Sequence, residues 1–494
     1  MEDTTKTKNT PPPQEMMIGT PDEQFAPPEE KQLLPPEELN KRMYSFFNRY
    51  YLVGARRDRD SYYAMTPEDF KAYPLCLCGL FVNLIMDGQL DKAGEILQNF
   101  DENNMARIGL ELSYPKLTAR RLFEIVNHMK AIGMNIPTIQ ITAGRPSVLN
   151  GVLDYTRLGP FLEGRKDEFL EGMRLMYDGT IVPALYNLCL AEWQYQQNRL
   201  MDAGLLVSKT IKEFDNDQQR RLLFVALYLQ AKVLLASGKV SNMEGYIKNI
   251  RRFAKETGEL EFSANINAAE AYTFLYSGNH EALGGWLASD APDELEDFNM
   301  LDLYRYMVKI RCYIVKSKPM AVQALAERLR PLLEEGMRYM DLCELDLLLA
   351  ICFFRADEKQ HAFHTLESVI RTAKRRGYYR LVADEGAALL PLLVEYIKER
   401  GETPFLMRLA EDVRDMASWY PLYLKPARKG DVEFSKIELN LLKFLEQGKS
   451  KEEIADYFFV SVNTVKFHMK NIYKKLDVTT VHQAVWEARL MGVI

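Results

Sequence analysis

The chain interrupts itself at a nearly fixed interval. Apolar, helix-like stretches break at Asn198, Gly238, Gly278, Ser317 and Asp357, at spacings of 40, 40, 39 and 40 residues. Between the breaks apolar positions recur every three and four residues, and β-branched alternating runs are scarce. After several breaks comes a small residue and then an amphipathic second helix: Asn198 is followed by Ala203, Gly278 by Ala282 and Asp357 by Ala362. An earlier unit turns at Gly88 and carries Ala93. A sustained period of this length marks a stack of helical hairpins, in which each unit buries its apolar face on the next.

The period exceeds the roughly 34 residues of a standard tetratricopeptide repeat and falls short of most HEAT units. The expected fold class is therefore all-α: a TPR-like helical-hairpin solenoid over residues 41–425, with longer helices than the standard repeat. Between about 101 and 183 the period lapses. That insert holds a polar loop, Thr142 to Gly151, which either lines a ligand pocket through Arg145 and Asn150 or joins two helices with Arg145 capping a helix end. Residues 1–40 contain eight prolines, and nine acids against three lysines. Such a stretch buries too little apolar surface to offset its ordering entropy, so a disordered acidic tail is expected. Its charge equals the −6 of the whole chain, which leaves the rest neutral. A basic coat for nucleic acid is excluded, and any such contact must come from a local patch.

Cys76, Cys78, Cys189, Cys312, Cys343 and Cys352 lie in apolar helical stretches and read as reduced core residues. No basic region followed by an apolar run opens the chain, and the longest uncharged apolar stretch, near Pro74–Met86, is shorter than the about 20 residues of a membrane span. A cytoplasmic protein without cofactors is expected. His361 and His364 share a helix face but lack a third metal ligand, and His280-Glu281 is no zinc-protease motif because residue 284 is Gly. No enzyme constellation emerges.

Beyond a short polar linker at 426–433, residues 434–494 read as a compact domain. Ser435 with Glu438, and Ser450 with Glu453, are capping boxes, in which hydroxyl and carboxylate satisfy each other's orphan amides. Ser461 is a plain N-cap. A short helix carrying Ile454 and Ala455 turns tightly into a longer one, the order of a helix-turn-helix. Val465, Met469, Ile472 and Leu476 trace a buried stripe on the longer helix. Lys466, Lys470 and Lys474 trace a second face, among Asn463, Thr464, Phe467 and Asn471. Lysines there can neutralise phosphates or reach guanine edges, and an apolar side chain can touch a thymine methyl. A fourth helix after Thr480 lines up Val481, Ala484, Val485 and Ala488, which serve either a two-fold dimer contact or the domain's own core.

Residues 434–492 resemble the DNA-binding domain of LuxR-type transcriptional regulators. The resemblance rests on Glu438, Leu442, Gly448, Ser450, Glu453-Ile-Ala455, Val460-Ser461, Thr464-Val-Lys466, His468, Asn471-Ile472, Lys475-Leu476, Val478, Gln483-Ala484 and Gly492. It implies that Lys466, Phe467 and Lys470 approach base edges, that Thr464 contacts a phosphate and that the fourth helix dimerises. Lys451 and Glu452 stand where the family usually has Asn-Lys, and Lys451 takes over the phosphate contact. The segments Asp302–Arg305, Met340–Asp346 and Gly377–Gly386 resemble, more loosely, the repeats of MalT-like members of the same family. In that subgroup the repeats sense an inducer, and an ATPase domain usually precedes them. Gly448-Lys449-Ser450 is not a phosphate loop, since Lys443 stands where that motif needs Gly and no strand precedes it. The ATPase domain is therefore expected to be missing, and no receiver domain is expected either.

Together these features predict a bacterial DNA-binding transcription regulator. It would bind paired half-sites of double-stranded DNA as a homodimer through Lys451, Ser461, Asn463, Thr464, Lys466, Phe467, Lys470, Asn471 and Lys474. The solenoid groove would take a small-molecule inducer or a partner protein, and the family's habit is activation by contact with RNA polymerase. The competing expectation is an interaction scaffold whose last domain serves assembly.

Overall fold

The structure is a computed structural model that describes residues 33–49, 56–102, 104–133, 163–176, 182–213, 220–257, 263–426, 434–458, 460–476, 478 and 480–490. The described residues form helices, turns and loops, with no strand among them. The loop holding Arg145 and Asn150, and most of the 426–433 linker, lie outside the described residues.

Helix α1 (Pro36–Arg49) begins inside the segment assigned above to a disordered tail. Proline at a first helical position loses no needed amide and is already set to the helical φ. Leu39 and Met43, one turn apart, are buried with Tyr62 in the repeat core, and the Leu34 amide donates to Ser61 Oγ at 3.0 Å. The ordered repeat domain therefore starts before residue 41.

An N-terminal hairpin, α2 (Cys76–Met86) and α3 (Leu90–Leu97), turns at Gly88. Five hairpins follow the insert: α4 (Val182–Gln196) with α5 (Leu200–Glu213), α6 (Arg220–Leu235) with α7 (Val240–Thr257), α8 (Ser263–Ser277) with α9 (His280–Ser289), α10 (Leu303–Val315) with α11 (Pro319–Glu335), and α12 (Tyr339–Arg355) with α13 (Lys359–Arg376). Each of the five periodic turn residues has a positive φ: Asn198 61°, Gly238 77°, Gly278 68°, Ser317 52° and Asp357 64°. In each the next amide reaches back to a carbonyl of the last helical turn, as from Arg199 to Gln194 at 2.9 Å and from Lys318 to Tyr313 at 2.9 Å. This is the Schellman closure, which satisfies carbonyls that the helix end orphans.

Size at the close-approach position is less constrained than the spacing suggested. The fifth residue after the turn is buried in all six hairpins: Ala93, Ala203, Met243, Leu283, Val322 and Ala362, at 0–2% exposure. Ala282 is one position short and only half-buried, because Leu283 takes the inward site. Register is what the fold conserves from hairpin to hairpin. All six cysteines are buried thiols outside any disulfide.

After Gly377 the chain leaves the period. It forms α14 (Tyr379–Ala383), α15 (Gly386–Arg400) and α16 (Pro404–Trp419), then a short turn ending near Lys425. These elements return to the first helices of the hairpins. The Leu381 amide donates to Gln196 Oε1 at 3.2 Å, and Gln197 Nε2 donates to the Gly377 carbonyl at 2.7 Å. A buried ionic cluster holds the contact, with Arg380 paired to Asp384 and Lys232 Nζ 3.2 Å from Asp384. Burial pushes the Asp384 carboxyl upward, but Arg380, Lys232 and the Tyr195 hydroxyl outweigh it and hold the group below the usual carboxylate range.

Residues 434–490 build a separate core from α17 (Lys436–Glu446), α18 (Lys451–Phe458), α19 (Val462–Leu476) and α20 (Val481–Leu490).

Candidate nucleic-acid interface

The last domain is positioned by its helix caps. Ser435 Oγ accepts from the Glu438 amide at 3.3 Å while Glu438 Oε2 accepts from the Ser435 amide at 2.8 Å. Ser450 and Glu453 repeat the exchange at 3.1 and 2.8 Å. Gly448, at φ 75°, closes α17, with the Lys449 amide 3.0 Å from the Phe444 carbonyl. Ser461 Oγ then accepts from the Thr464 amide at 3.2 Å and starts α19. A further cap escaped the sequence reading. Thr480 and Gln483 form the same reciprocal pair, both bonds at 3.2 Å, with Gln in place of the usual Glu.

Between these caps, α18 and α19 pack as a short helix against a longer one. Val465, Met469, Ile472 and Leu476 are buried at 0–4% exposure and join Ile454, Ala455, Leu441 and Leu442. With that stripe fixed inward, the helical period turns Lys466, Phe467, Lys470 and Lys474 outward, and all four are exposed, Phe467 to 61%. Ser461 and Asn463 are also exposed, while Thr464, Asn471 and Lys451 are half-buried at its edge. Lys466, Lys470 and Lys474 pair with no carboxylate among the described residues.

Lys475 has a different fate. Its ammonium donates to Glu438 Oε2 at 2.7 Å and ties α19 to the start of α17. Burial would raise the Glu438 carboxyl, but Lys475 and the Ser435 amide and hydroxyl together keep it below the usual range. Of the four lysines between 461 and 476, three are open and one is structural.

At two of its four candidate dimer-contact positions the fourth helix takes the core reading instead. Ala484 and Ala488 are fully buried against this domain's own core, and Val481 and Val485 are half-buried on the same core. The two alanines have no surface to offer a second copy. Small side chains are used here because α20 packs closely on α17 and α19.

A capped positioning helix ahead of an exposed, lysine-bearing helix defines a helix-turn-helix DNA-binding module. Residues 432–488 match the bacterial regulatory proteins of the luxR family, and residues 178–399 match the MalT-like TPR region. The chain thus joins a MalT-like TPR region to a C-terminal LuxR-family domain. The HTH-type transcriptional regulator AlkS of Alcanivorax borkumensis is 40% identical over 57 residues, 12% of this chain and 6% of that protein. The HTH-type transcriptional regulator MalT of Klebsiella pneumoniae is 23% identical over 293 residues, 55% of this chain and 32% of that protein. MalT of Yersinia enterocolitica is 22% identical over 326 residues, 60% and 35% of the respective chains. The chain spans about a third of the length of these MalT relatives.

No group of three or more metal-ligating side chains occurs among the described residues. His361 is exposed and its Nδ1 lies 2.9 Å from Glu358. No described helix is long and apolar enough to cross a membrane.

Proposed function

We propose that the protein is a sequence-specific transcriptional regulator of bacterial genes that reads duplex DNA with α19. The observation that carries this is the open ridge of Lys466, Phe467 and Lys470, backed by a fully packed stripe on the opposite face. Lys466 and Lys470 face the base edges of a major groove, and Phe467 supplies an apolar contact for a thymine methyl. Thr464, Ser461, Asn463, Asn471, Lys474 and Lys451 surround the ridge and hold the flanking phosphates.

A domain with one recognition helix gains most by working in pairs, on half-sites one duplex turn, about 34 Å, apart. The contact between copies uses surface other than Ala484 and Ala488. The repeat domain is the sensing element, acting through a small molecule or a partner protein, and the output is activation through RNA polymerase. The chain itself performs no catalysis, and it acts at the nucleoid in the cytoplasm.

The test is selection of duplexes from a random library with the full chain, followed by titration at two salt concentrations. Lys466→Ala and Lys470→Ala should each weaken binding to the selected duplex by about 1–3 kcal/mol and relax its sequence preference. Equal binding by wild type and double variant would refute the reading and leave an assembly scaffold in its place.

A further inference from the structure

The segment that leads from the repeats to the DNA-binding domain touches one hairpin after another. Asp412 Oδ2 accepts from Asn198 Nδ2 at 3.1 Å, at the first periodic turn. The Trp419 ring covers Gly238, the second turn, so closely that a Cβ there would sit 3.0 Å from it. Tyr420 donates to the Leu235 carbonyl at 2.9 Å. Leu422 covers Gly278, the third turn, where an added Cβ would lie 3.1 Å from the Leu422 Cβ. Arg355, two residues before the last turn, donates to the Leu424 carbonyl at 2.7 Å.

Tyr423 sits at the centre of this run. Its ring stacks on Tyr276 at 4.2 Å, its hydroxyl donates to Glu385 Oε2 at 2.8 Å and accepts from Arg311 Nε at 3.0 Å. Arg311 also pairs with Glu385 and, at 2.8 Å, with Glu344. Arg311, Glu385 and Glu344 form part of the wall of a small cavity, partly open to solvent, together with Lys232, Tyr272 and Asp384.

We propose that residues 404–425 are a strap that reports the spacing of successive hairpins to the DNA-binding domain, with Arg311, Glu385 and Tyr423 as its latch. The inference rests on the DNA-reading function proposed above. Contacts at three successive turns mean that a change in superhelical pitch cannot leave the strap seated at all of them. A polar group entering the cavity meets the same guanidinium and carboxylate that hold Tyr423, so occupancy competes with the latch. Release lengthens the tether. From Lys425 to Phe434 the chain reaches roughly 30 Å, whereas from Tyr420 it reaches roughly 50 Å, at up to 3.6 Å per residue. The longer reach lets two DNA-binding domains seat together on half-sites about 34 Å apart.

Two forms of the full chain test this. Tyr423→Phe keeps the ring on Tyr276 and removes the hydroxyl from two charged partners. The amides of 420–425 should then exchange with deuterium roughly tenfold faster or more, and affinity for a selected paired-site duplex should rise severalfold, with affinity for its single half-site unchanged. Gly278→Cys with Leu422→Cys brings two thiols close enough to bridge once the two positions move apart by about half an ångström, since a Cβ–Cβ distance of 3.1 Å falls short of the usual roughly 3.5–4.5 Å. A side chain at 278 costs about 1–2 kcal/mol of left-handed backbone strain, which the same turn already carries at Asn198, Ser317 and Asp357. Oxidation should pin the strap and lower paired-site affinity severalfold, and dithiothreitol should restore it. Paired-site affinity that is equal in the wild-type, Tyr423→Phe, oxidised and reduced proteins would overturn the strap while leaving DNA reading intact. Failure of every form to bind any duplex would overturn both.

Discussion

Lys474 and Lys475 are neighbours in sequence with opposite assignments, and exchanging each for alanine separates the interface from the fold. Lys475 reaches Glu438, whose side chain is 5% exposed. Removing the ammonium leaves a buried carboxylate with only the Ser435 cap. A hydrogen bond to a charged group contributes about 1.5–3 kcal/mol; because Lys475 itself is about a third exposed, screening places the loss near the lower end, about 1.5–2 kcal/mol. At 1.4 kcal/mol per factor of ten, amides of α17 and α19 should open roughly 10 to 30 times more often in Lys475→Ala, measured by hydrogen exchange in the full chain. Lys474→Ala should leave that exchange within about 0.5 kcal/mol of wild type. Its effect belongs to DNA. One lost phosphate contact lowers the salt slope by about 0.9, so that between 50 and 200 mM salt the variant should lose roughly 3.5-fold less affinity than wild type does. Lys475→Ala should keep the wild-type slope. If both substitutions moved the same observable, or the slope followed Lys475, the division of the helix into an open ridge and a structural anchor would be wrong.

Glu438 adds a pH dependence to the same domain. Its folded carboxyl titrates below its ordinary value of 4.5, so its stabilisation is complete above that value and is lost as pH falls through the folded one. Glu438→Gln should abolish this acid-side loss in urea denaturation at successive pH values. Gly377→Ala and Gly448→Ala should differ although φ is 75° at both: about 1–2 kcal/mol of backbone strain at 448, where a Cβ meets nothing, and more at 377, where it would lie 2.4 Å from Gln197 and 2.6 Å from Trp193. Ala484→Leu should cost about 1–3 kcal/mol by overpacking, read by thermal melting, with no change in sedimentation of the free protein. Asp384→Asn should cost about 3–5 kcal/mol in urea denaturation, because it strips Arg380, 2% exposed, of its buried counter-charge.

The features legible in the sequence are those whose physical demand is local. A left-handed closure needs particular residues at one position, and five of them recurring at one period marked the hairpins. A buried stripe at every third or fourth residue marked the inward face of α19, and hence its outward one. Even local signals mislead by a residue. Before α12 the left-handed turn falls on Met337, φ 51°, while the adjacent Gly336 keeps an ordinary helical backbone. A Cβ at 336 would come within 3.1 Å of the Leu332 carbonyl. The face of α20 was ambiguous because core and dimer contact ask for the same small apolar residues. The strap was illegible: α16 has the pattern of any amphipathic helix, and Arg311, Glu344 and Glu385 find each other across 33 to 74 residues of chain. The visible trace was charge inside apolar runs, as at Arg311 beside Cys312 and Ile310, which names a buried group but not its partner.

The acids of the last domain fix the side from which DNA approaches. Glu438 is held by Lys475, Glu453 by Ser450 and Lys449, and Glu446 by Arg489. Among the described residues, no carboxylate pairs with Lys466, Lys470 or Lys474 on their own face. Glu452 and Asp456 are exposed on α18, one helical turn apart and so on one side of it. A duplex seated on α19 must leave that side facing away, because two carboxylates against phosphate would be repelled. Glu452→Gln with Asp456→Asn should therefore change affinity for the selected duplex less than twofold at physiological salt, where charges beyond about 8 Å are largely screened. At low salt the on-rate should rise modestly as two repulsive charges leave the surroundings of the site. A tenfold or greater gain in affinity at physiological salt would mean that these acids face the backbone, and the docking of α19 would have to be turned about its own axis.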